Sequence, residues 1–249
     1  VWLNVTDKVF IPNDGVFVHS DVKGKNAVVN IETTVQNNNL KSSNASVYAY
    51  VTDRNGKILG KTSEQKISLG INKNTTVKQK VNLNNARLWS LEDPYLYKVV
   101  SVVKQNNQIV HQTKTRFGIK TVTFDAKKGF FLNGKHLKIQ GTNNHQDHAG
   151  IGSAIPDFMQ YYRIKLLKEM GSNAYRASHN APTPELLEAC DSLGMLVVDE
   201  QRLLNSSPEY IDQFKRVIKR DRNHASVFLW SIGNEEQNIQ GNHYGKKIA

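Results

Sequence analysis

One apolar run near the end of the chain constrains the fold more than any other segment. Residues 227–232 are apolar except for Ser231, and the run ends at Gly233, with Asn234 and Glu235 directly after it. A strand that is apolar at nearly every position is typical of a parallel sheet covered on both faces. In barrels of alternating strands and helices, active sites lie at the C-terminal ends of such strands, so Glu235 is a candidate acid or base. The alternative is that Glu235 only caps or salt-bridges the next loop.

The residues before this run alternate between short strands and helices. Residues 117–124 are predicted to form one strand, and a hairpin turn is predicted at Asn133-Gly134. The first helix is predicted from Asp157 to Met170, and residues 174–175 and 195–198 are predicted strands. Two further helices are predicted to begin at Thr183-Pro184-Glu185 and at Ser207-Pro208-Glu209. The helix predicted from Asp157 to Met170 has an apolar line along one face, formed by Phe158, Tyr162, Leu166 and Met170. This order predicts the first half, about four βα units, of a TIM (β/α)8 barrel.

The preceding region, residues 8–118, has a different pattern. Short alternating segments, among them 27–35, 45–51 and 75–81, are separated by turn residues at intervals of about ten. This spacing predicts an immunoglobulin-like β-sandwich. Three residues are interpreted as a plug that closes one end of its core: Trp89, Pro94 and Tyr95.

Composition excludes several classes of function. Lys and Arg number 33 against 22 Asp and Glu, for a net charge of +11, but the lysines form no basic stripe, so neither a nucleic-acid partner nor a membrane partner is expected. Cys190 is the only cysteine, which excludes an internal disulfide and a cysteine zinc cluster. No apolar stretch approaches transmembrane length and no leader opens the chain, so neither a membrane span nor a signal peptide is expected.

Polar residues follow each of the four predicted barrel strands. The four groups are Asn143, Asn144 and His145; Arg176 and His179; Asp199 and Glu200; and Asn234 and Glu235. Parallel strands direct these groups to one rim, where together they form a candidate site. Five of them are expected to bind substrate: His145, Arg176, His179, Asp199 and Asn234.

The chemistry of these groups suits acid/base hydrolysis without a cofactor. The chain has no dinucleotide or phosphate-loop fingerprint. Glycoside cleavage needs a carboxylic acid that protonates the leaving oxygen, and in retaining enzymes a second carboxylate about 5 to 5.5 Å away. Glu235 can be the first, and Asn234 can hold a sugar 2-hydroxyl. A metal site at His145-Gln146-Asp147-His148 is the competing hypothesis, but these side chains lack a helical His spacing, so no metal is expected.

Two long segments, residues 173–200 and 220–236, resemble the signature regions of glycoside hydrolase family 2. The likeness is closest to β-galactosidases of bacterial polysaccharide degraders, and it extends to residues 116–118 and 130–150. The resemblance implies that Glu235 is the acid/base and Asn234 its partner. It also implies that Arg176, His179 and His145 line the sugar subsite and that the sandwich is the family's middle domain.

Three departures from the family pattern bear on substrate and metal. His179-Asn180-Ala181 replaces the more common His-Tyr-Pro, and residues 201–208 lack the Glu and His of magnesium-dependent members. Gly233 favours a galactosidase, because related glucuronidases tend to carry Ala there. Removal of terminal β-D-galactose is therefore predicted. A β-glucuronidase, a β-mannosidase or a non-catalytic carbohydrate-binding fragment are the alternatives.

The resemblance also implies parts that these 249 residues do not hold. The family's nucleophile is a second Glu on a later barrel strand, expected beyond Ala249, and residues 1–7 are expected to end a preceding sugar-binding domain. Residues 119–249 are then the N-terminal half of the barrel. The chain alone is predicted to be nearly inactive and to self-associate through its open barrel edges. A periplasmic location is implied only by the bacterial relatives.

Overall fold

A computed structural model describes residues 3–236 and 243–246. The chain divides into two compact units. The first comprises residues 1–87 and 95–119, and the second comprises residues 88–94 and 120–249. Among the described residues, no helix is long and apolar enough to cross a membrane.

The first unit contains nine β-strands in two antiparallel sheets. They are β1 (Val9–Phe10), β2 (Val16–Lys23), β3 (Asn26–Asn37), β4 (Ser43–Thr52), β5 (Ile58–Lys61), β6 (Gln65–Leu69), β7 (Asn74–Leu83), β8 (Tyr97–Gln105) and β9 (Gln108–Phe117). In one sheet, β3 pairs with β1, β2 and β7. In the other, β4 pairs with β5, β6 and β8, and β9 pairs with β8.

Alternating side chains build the core of this unit. Along β3 and β4, buried residues such as Val29, Ile31 and Val47 alternate with more exposed ones over much of each strand. A buried hydrogen bond between Thr33 Oγ1 and Ser101 Oγ, 3.1 Å long, joins the two sheets. The predicted immunoglobulin-like sandwich is therefore confirmed.

The second unit contains a small antiparallel sheet and a four-stranded parallel sheet with helices. The antiparallel strands are β10 (Val122–Asp125), β11 (Gly129–Leu132) and β12 (Lys135–His136). The parallel strands, in spatial order, are β13 (Gly141–Asn144), β14 (Ala174–Ala177), β15 (Leu196–Glu200) and β16 (Val227–Ser231). The helices are α1 (Asp157–Glu169), α2 (Pro184–Leu193), α3 (Pro208–Asp221) and the short α4 (His243–Lys246). The predicted half barrel is confirmed.

Local sequence signals place most of these boundaries. Asn133 and Gly134 both have positive φ, as the predicted hairpin turn between β11 and β12 requires. Pro184 and Pro208 begin their helices as expected, although neither N-cap side chain makes a capping hydrogen bond. Gly194 ends α2 in the left-handed conformation.

Two structural expectations were wrong. Residues 117–124, expected to form one strand, belong to two: Phe117 ends β9 in the first unit and Val122 begins β10 in the second. Trp89, expected to belong to the core of the sandwich, belongs to the second unit. It is fully buried in the second unit, where its indole N–H donates to the Asp191 carbonyl over 2.8 Å.

Helix α1 packs differently from its apolar pattern. The four residues of its predicted line are the exposed ones, at 69%, 50%, 40% and 74% exposure for Phe158, Tyr162, Leu166 and Met170. Gln160 and Ile164 are buried instead, and Ile164 belongs to the core that α1, α2 and the parallel sheet form together. The face of α1 that meets the sheet is thus set by neighbouring elements and not by apolar content alone.

The register of the parallel sheet decides which side chains meet. Asn143 pairs with Arg176, and Glu200 pairs with Ser231, so each pair lies on one face of the sheet. Between Val197 and Val198 the register shifts, because Val197 pairs with Val227 and Val198 pairs with Leu229. One extra residue, Phe228, is accommodated in β16 at this bulge.

The two glycines that follow α1 and α2 give a matched stability test. Gly171 and Gly194 both have left-handed φ, but a Cβ on Gly171 would meet nothing, whereas one on Gly194 would lie 2.8 Å from the Leu91 carbonyl carbon. We expect Gly171→Ala to cost about 1 to 2 kcal/mol through conformation alone. Gly194→Ala should cost clearly more, because overlap adds to the same strain. Urea unfolding midpoints of the two variants measure the difference, and equal shifts would contradict the overlap.

Candidate active site

The polar residues at the ends of the parallel strands lie on two different faces of the sheet, because successive side chains along a strand point to opposite faces. Asp199 and Glu200 are the last two residues of β15, so they point to opposite faces of the sheet. Glu200 shares the face that carries Arg176 and Ser231. Asp199 shares the other face with Val197, which packs in the core against the helices.

Glu200 is the centre of the site, and the four residues Arg176, His179, Glu200 and Ser231 are here called the Glu200 cluster. The Glu200 side chain is completely buried. Its Oε2 accepts hydrogen bonds from Arg176 Nε at 2.8 Å and from Ser231 Oγ at 2.8 Å, and Arg176 Nη2 lies 2.7 Å away. Its Oε1 lies 2.8 Å from His179 Nδ1. A buried carboxylate is stable only with partners of this kind, and here they come from the ends of two neighbouring strands, β14 and β16.

The bond to Glu200 also fixes the proton arrangement of His179. A carboxylate accepts, so His179 Nδ1 carries the hydrogen and Nε2 is the nitrogen left for other partners. The Ser178–His179 peptide bond that precedes this ring is cis. The ring of His145 lies edge-on to that of His179, with centroids 5.2 Å apart and planes at 85°. The two imidazoles thus form adjacent walls of one site.

Arg176 connects the cluster to Asn234. Its Nη2 donates to Asn234 Oδ1 over 2.9 Å, and its Nη1 donates to Asn143 Oδ1 over 3.4 Å. Because a guanidinium can only donate, the oxygen end of the Asn234 amide must face it. The Asn234 backbone N–H donates to Glu236 Oε2 over 2.8 Å, which fixes the turn after β16.

Gly233 makes this turn possible by having no side chain. A Cβ at this position would lie 2.6 Å from Leu204 Cβ and 2.7 Å from Glu236 Oε2. Both distances are shorter than real contacts allow, so an alanine would displace Leu204 or the carboxylate that holds Asn234. The glycine that the sequence offers as a substrate marker therefore has a steric role here.

Glu235 differs from its neighbours. Its side chain is exposed, and within residues 3–236 and 243–246 it makes no hydrogen bond or ion pair. The alternative that Glu235 caps or salt-bridges the next loop concerns residues that lie mostly outside the described part of the chain. The structure joins Asn234, and not Glu235, to Arg176.

Asp199 is not brought to the other predicted site residues. It is fully buried beside Asp221 of α3, which Arg220 binds through two contacts of 2.6 Å. Burial, together with the charge of Asp221, raises the pKa of Asp199 to about 8. Its side chain is enclosed on the face of the sheet opposite Arg176, so the structure places Asp199 apart from the other predicted substrate-binding residues.

Of the two acidic residues at the end of β15, the sequence pattern predicted Asp199 as a substrate-binding residue, whereas Glu200 is the one that contacts Arg176 and His179. The strand predicted over residues 195–198 ends before both of them, whereas β15 extends through Glu200. Glu200 lies two residues from Val198, and Val198 pairs with Arg176, so Glu200 and Arg176 share one face of the sheet.

The loop between β13 and α1 holds the residues of the competing metal hypothesis. Its turn is closed by hydrogen bonds between the backbones of His148 and Gly152. Among the residues that the structure describes, no three His, Cys, Asp or Glu side chains gather as a group that could hold a metal ion.

Fold and site together define a barrel protein with a preceding β-sandwich and a polar site at its strand ends. Comparison with known proteins then gives the family. Residues 9–120 match "Glycosyl hydrolases family 2", and residues 124–209 and 204–249 match "Glycosyl hydrolases family 2, TIM barrel domain". The chain belongs to glycosyl hydrolases family 2, as its signature segments predicted.

Relatives within this family act on more than one sugar. The chain is 36% identical to "Beta-galactosidase BoGH2A" of Bacteroides ovatus, an alignment that covers 94% of this chain and 29% of that protein. It is 28% identical to a β-glucuronidase of Formosa agariphila, over 88% of this chain and 23% of that protein. A solved family 2 structure from Bacteroides cellulosilyticus superposes with a TM-score of 0.87 at 32% identity, over 92% and 31% of the two chains. The chain thus spans less than a third of each of these relatives.

The first prediction for the site concerns Glu200. Glu200→Gln removes a buried negative charge from beside Arg176 and places an amide N–H₂ among hydrogen-bond donors. We expect a loss of stability on the order of 3 kcal/mol, since breaking a buried ion pair leaves the other charge uncompensated. Chemical denaturation measures it. Glu32→Gln removes a more exposed partner of Lys78 and is the control, expected to cost less than about 1 kcal/mol; a similar loss in both would contradict the central role of Glu200.

The second prediction concerns pH and Asp199. The folded protein keeps a proton on Asp199 up to about pH 8, whereas an unfolded chain releases it near its ordinary pKa of 3.8. The unfolded state therefore binds fewer protons in this window, and the free energy of unfolding falls as the pH rises from about 4 to about 8. Asp199→Asn has no titrating carboxyl group at this position. The decrease in the free energy of unfolding that Asp199 causes between about pH 4 and about pH 8 should therefore be absent in this variant. Unfolding curves across the window test it, with the exposed Asp212→Asn as control; an unchanged slope in Asp199→Asn would contradict the assignment.

Proposed function

We propose that the protein containing this chain is a retaining glycosidase that removes terminal β-D-galactose, with Glu235 as general acid/base. One observation carries the proposal: the bond from Arg176 Nη2 to Asn234 Oδ1 ties the residue next to Glu235 to the Glu200 cluster. Glu235 itself is exposed and makes no bond with the described residues, as an acid that must reach a substrate oxygen requires.

The proposed roles follow from the geometry around Glu200. Arg176 sets the direction of the Asn234 amide, which in this proposal contacts the sugar 2-hydroxyl, a hydrogen bond that strengthens toward the oxocarbenium-like transition state. His179 keeps Nε2 available because Nδ1 is held by Glu200, and His145 stands beside it. These imidazoles bind further hydroxyl groups. The walls of the site are thus fixed before substrate arrives, which lowers the cost of ordering them.

Retention of configuration requires a second carboxylate that attacks the sugar. Glu200 cannot serve, because it is completely buried and bonded to three side chains. The relatives are more than three times as long as the chain. We therefore place the nucleophile in a part of the protein outside these 249 residues, and we expect the 249-residue chain alone to have little or no hydrolytic activity.

Two features favour galactose over other sugars. The β-galactosidase of Bacteroides ovatus is 36% identical over 94% of this chain, whereas two putative β-glucuronidases of Formosa agariphila are 32% and 35% identical over the smaller shares of 81% and 73%. Gly233 is sterically required here, so the alanine associated with glucuronidases does not fit without movement of Leu204. Glucuronide hydrolysis is the second candidate, because two solved β-glucuronidase structures share this fold with TM-scores of 0.82. Carbohydrate is the expected partner in either case.

Glu235→Gln in the longer protein tests the acid role. Loss of a general acid costs about 10²- to 10⁴-fold on substrates with poor leaving groups, whereas activated aryl galactosides need little protonation and should lose far less. Glu236→Gln is the matched control, because it changes the next carboxylate and keeps an acceptor for the Asn234 N–H.

The measurement is kcat/KM on a series of aryl β-galactosides, with aryl β-glucuronides and β-mannosides in parallel. Equal losses across the series would refute the acid role of Glu235. Faster cleavage of the glucuronide would move the assignment to the second candidate. Inactivity of the longer protein on all three sugars would leave a carbohydrate-binding role.

A further inference from the structure

We infer that Arg163, on helix α1, is a positioning residue for the proposed sugar site. It holds the backbone of the loop between β13 and α1, residues 145–156, and through that loop sets the place of His145. The inference rests on the proposed function and adds to it a residue outside the Glu200 cluster.

Arg163 binds the first two carbonyls of this loop. Its Nη2 donates to the His145 carbonyl over 2.6 Å, and its Nη1 donates to the Gln146 carbonyl over 3.3 Å. The planar guanidinium spans two successive carbonyls, which a lysine with a single ammonium cannot match. Among the described residues no carboxylate forms an ion pair with Arg163, so these two bonds are its polar contacts there.

His145 depends on its backbone more than the other site residues do. Arg176, His179 and Ser231 are each bonded through their side chains to Glu200. The imidazole of His145 makes no hydrogen bond within the described part of the chain and touches the ring of His179 only edge-on. Its position is therefore set by the end of β13 and by the grip of Arg163 on its carbonyl.

Side-chain packing beneath the loop does not hold it in place of the two Arg163 hydrogen bonds. A cavity of about 250 Å³ lies there, with Gln146, Ser153 and Arg163 in its lining. Two further lining residues, Gln160 and Ser178, are almost fully buried, yet Gln160 Oε1 and Ser178 Oγ have no hydrogen-bond partner among the described residues. A polar space of this size holds about eight waters. Without Arg163 the loop has room to sink into it and to carry His145 away from His179.

The test compares single and double variants of the longer protein on one aryl β-galactoside. Arg163→Gln should lower kcat/KM about tenfold, in line with the cost of a misplaced binding group, and Arg163→Lys should lie between it and the wild type. In a His145→Ala background, Arg163→Gln should cost less than about twofold more, because the two residues act as one unit. Arg216→Gln, which removes an exposed arginine paired with Asp212 on α3, is the control and should change little.

If the loss in kcat/KM of the double variant equals the product of the losses of the two single variants, the inference is overturned. Such independence would mean that Arg163 has a general structural effect that does not act through His145. Unchanged kinetics in either Arg163→Gln or His145→Ala would also overturn the inference. A wild type inactive on every glycoside would refute the proposed function itself. The structural part then has its own readout: the NMR signals of the His145 ring should shift in Arg163→Gln and not in Arg216→Gln, and unchanged signals would overturn it.

Discussion

The second unit depends on one buried charge and the partners that surround it. Glu200 has no access to water, so its carboxylate requires donors from the protein, and Arg176, His179 and Ser231 supply them from the ends of β14 and β16. The same bonds that satisfy Glu200 orient Arg176 toward Asn234. Stability and site geometry therefore rest on the same contacts, and Glu235 follows a turn that these contacts hold in place.

The sequence predicted the order of elements better than the direction of side chains. The βα alternation, the Asn133-Gly134 turn and the helix starts at Pro184 and Pro208 all depend on local chemistry, and the structure has them. Asp199 and Glu200 could not be separated without the exact end of β15, because a shift of one residue exchanges the two faces of a strand. The exposed line on α1 likewise depends on its neighbours, which no local pattern specifies.

The proposed site holds its residues in two ways. Around Glu200, side chains are fixed by side chains, through charge-assisted bonds of 2.7 to 2.8 Å. At the loop after β13, a side chain from α1 fixes the backbone, above a cavity with unsatisfied polar groups. The bonds around Glu200 leave these side chains little freedom to move. The loop after β13 lies above a cavity and has space into which its backbone can shift. A loop held in the second way can vary in conformation while a buried charge elsewhere keeps its partners.

The bulge in β16 has a consequence for how the two ends of this strand relate. At one end, the ring of Phe228 packs against Phe124 and Phe130 of the small antiparallel sheet, and at the other end Ser231 reaches Glu200. Because Phe228 has no partner in β15, the spacing between these two attachments is not dictated by the ladder. The extra residue can therefore absorb small changes in the aromatic packing around Phe228. The hydroxyl of Ser231 then keeps its hydrogen bond to Glu200.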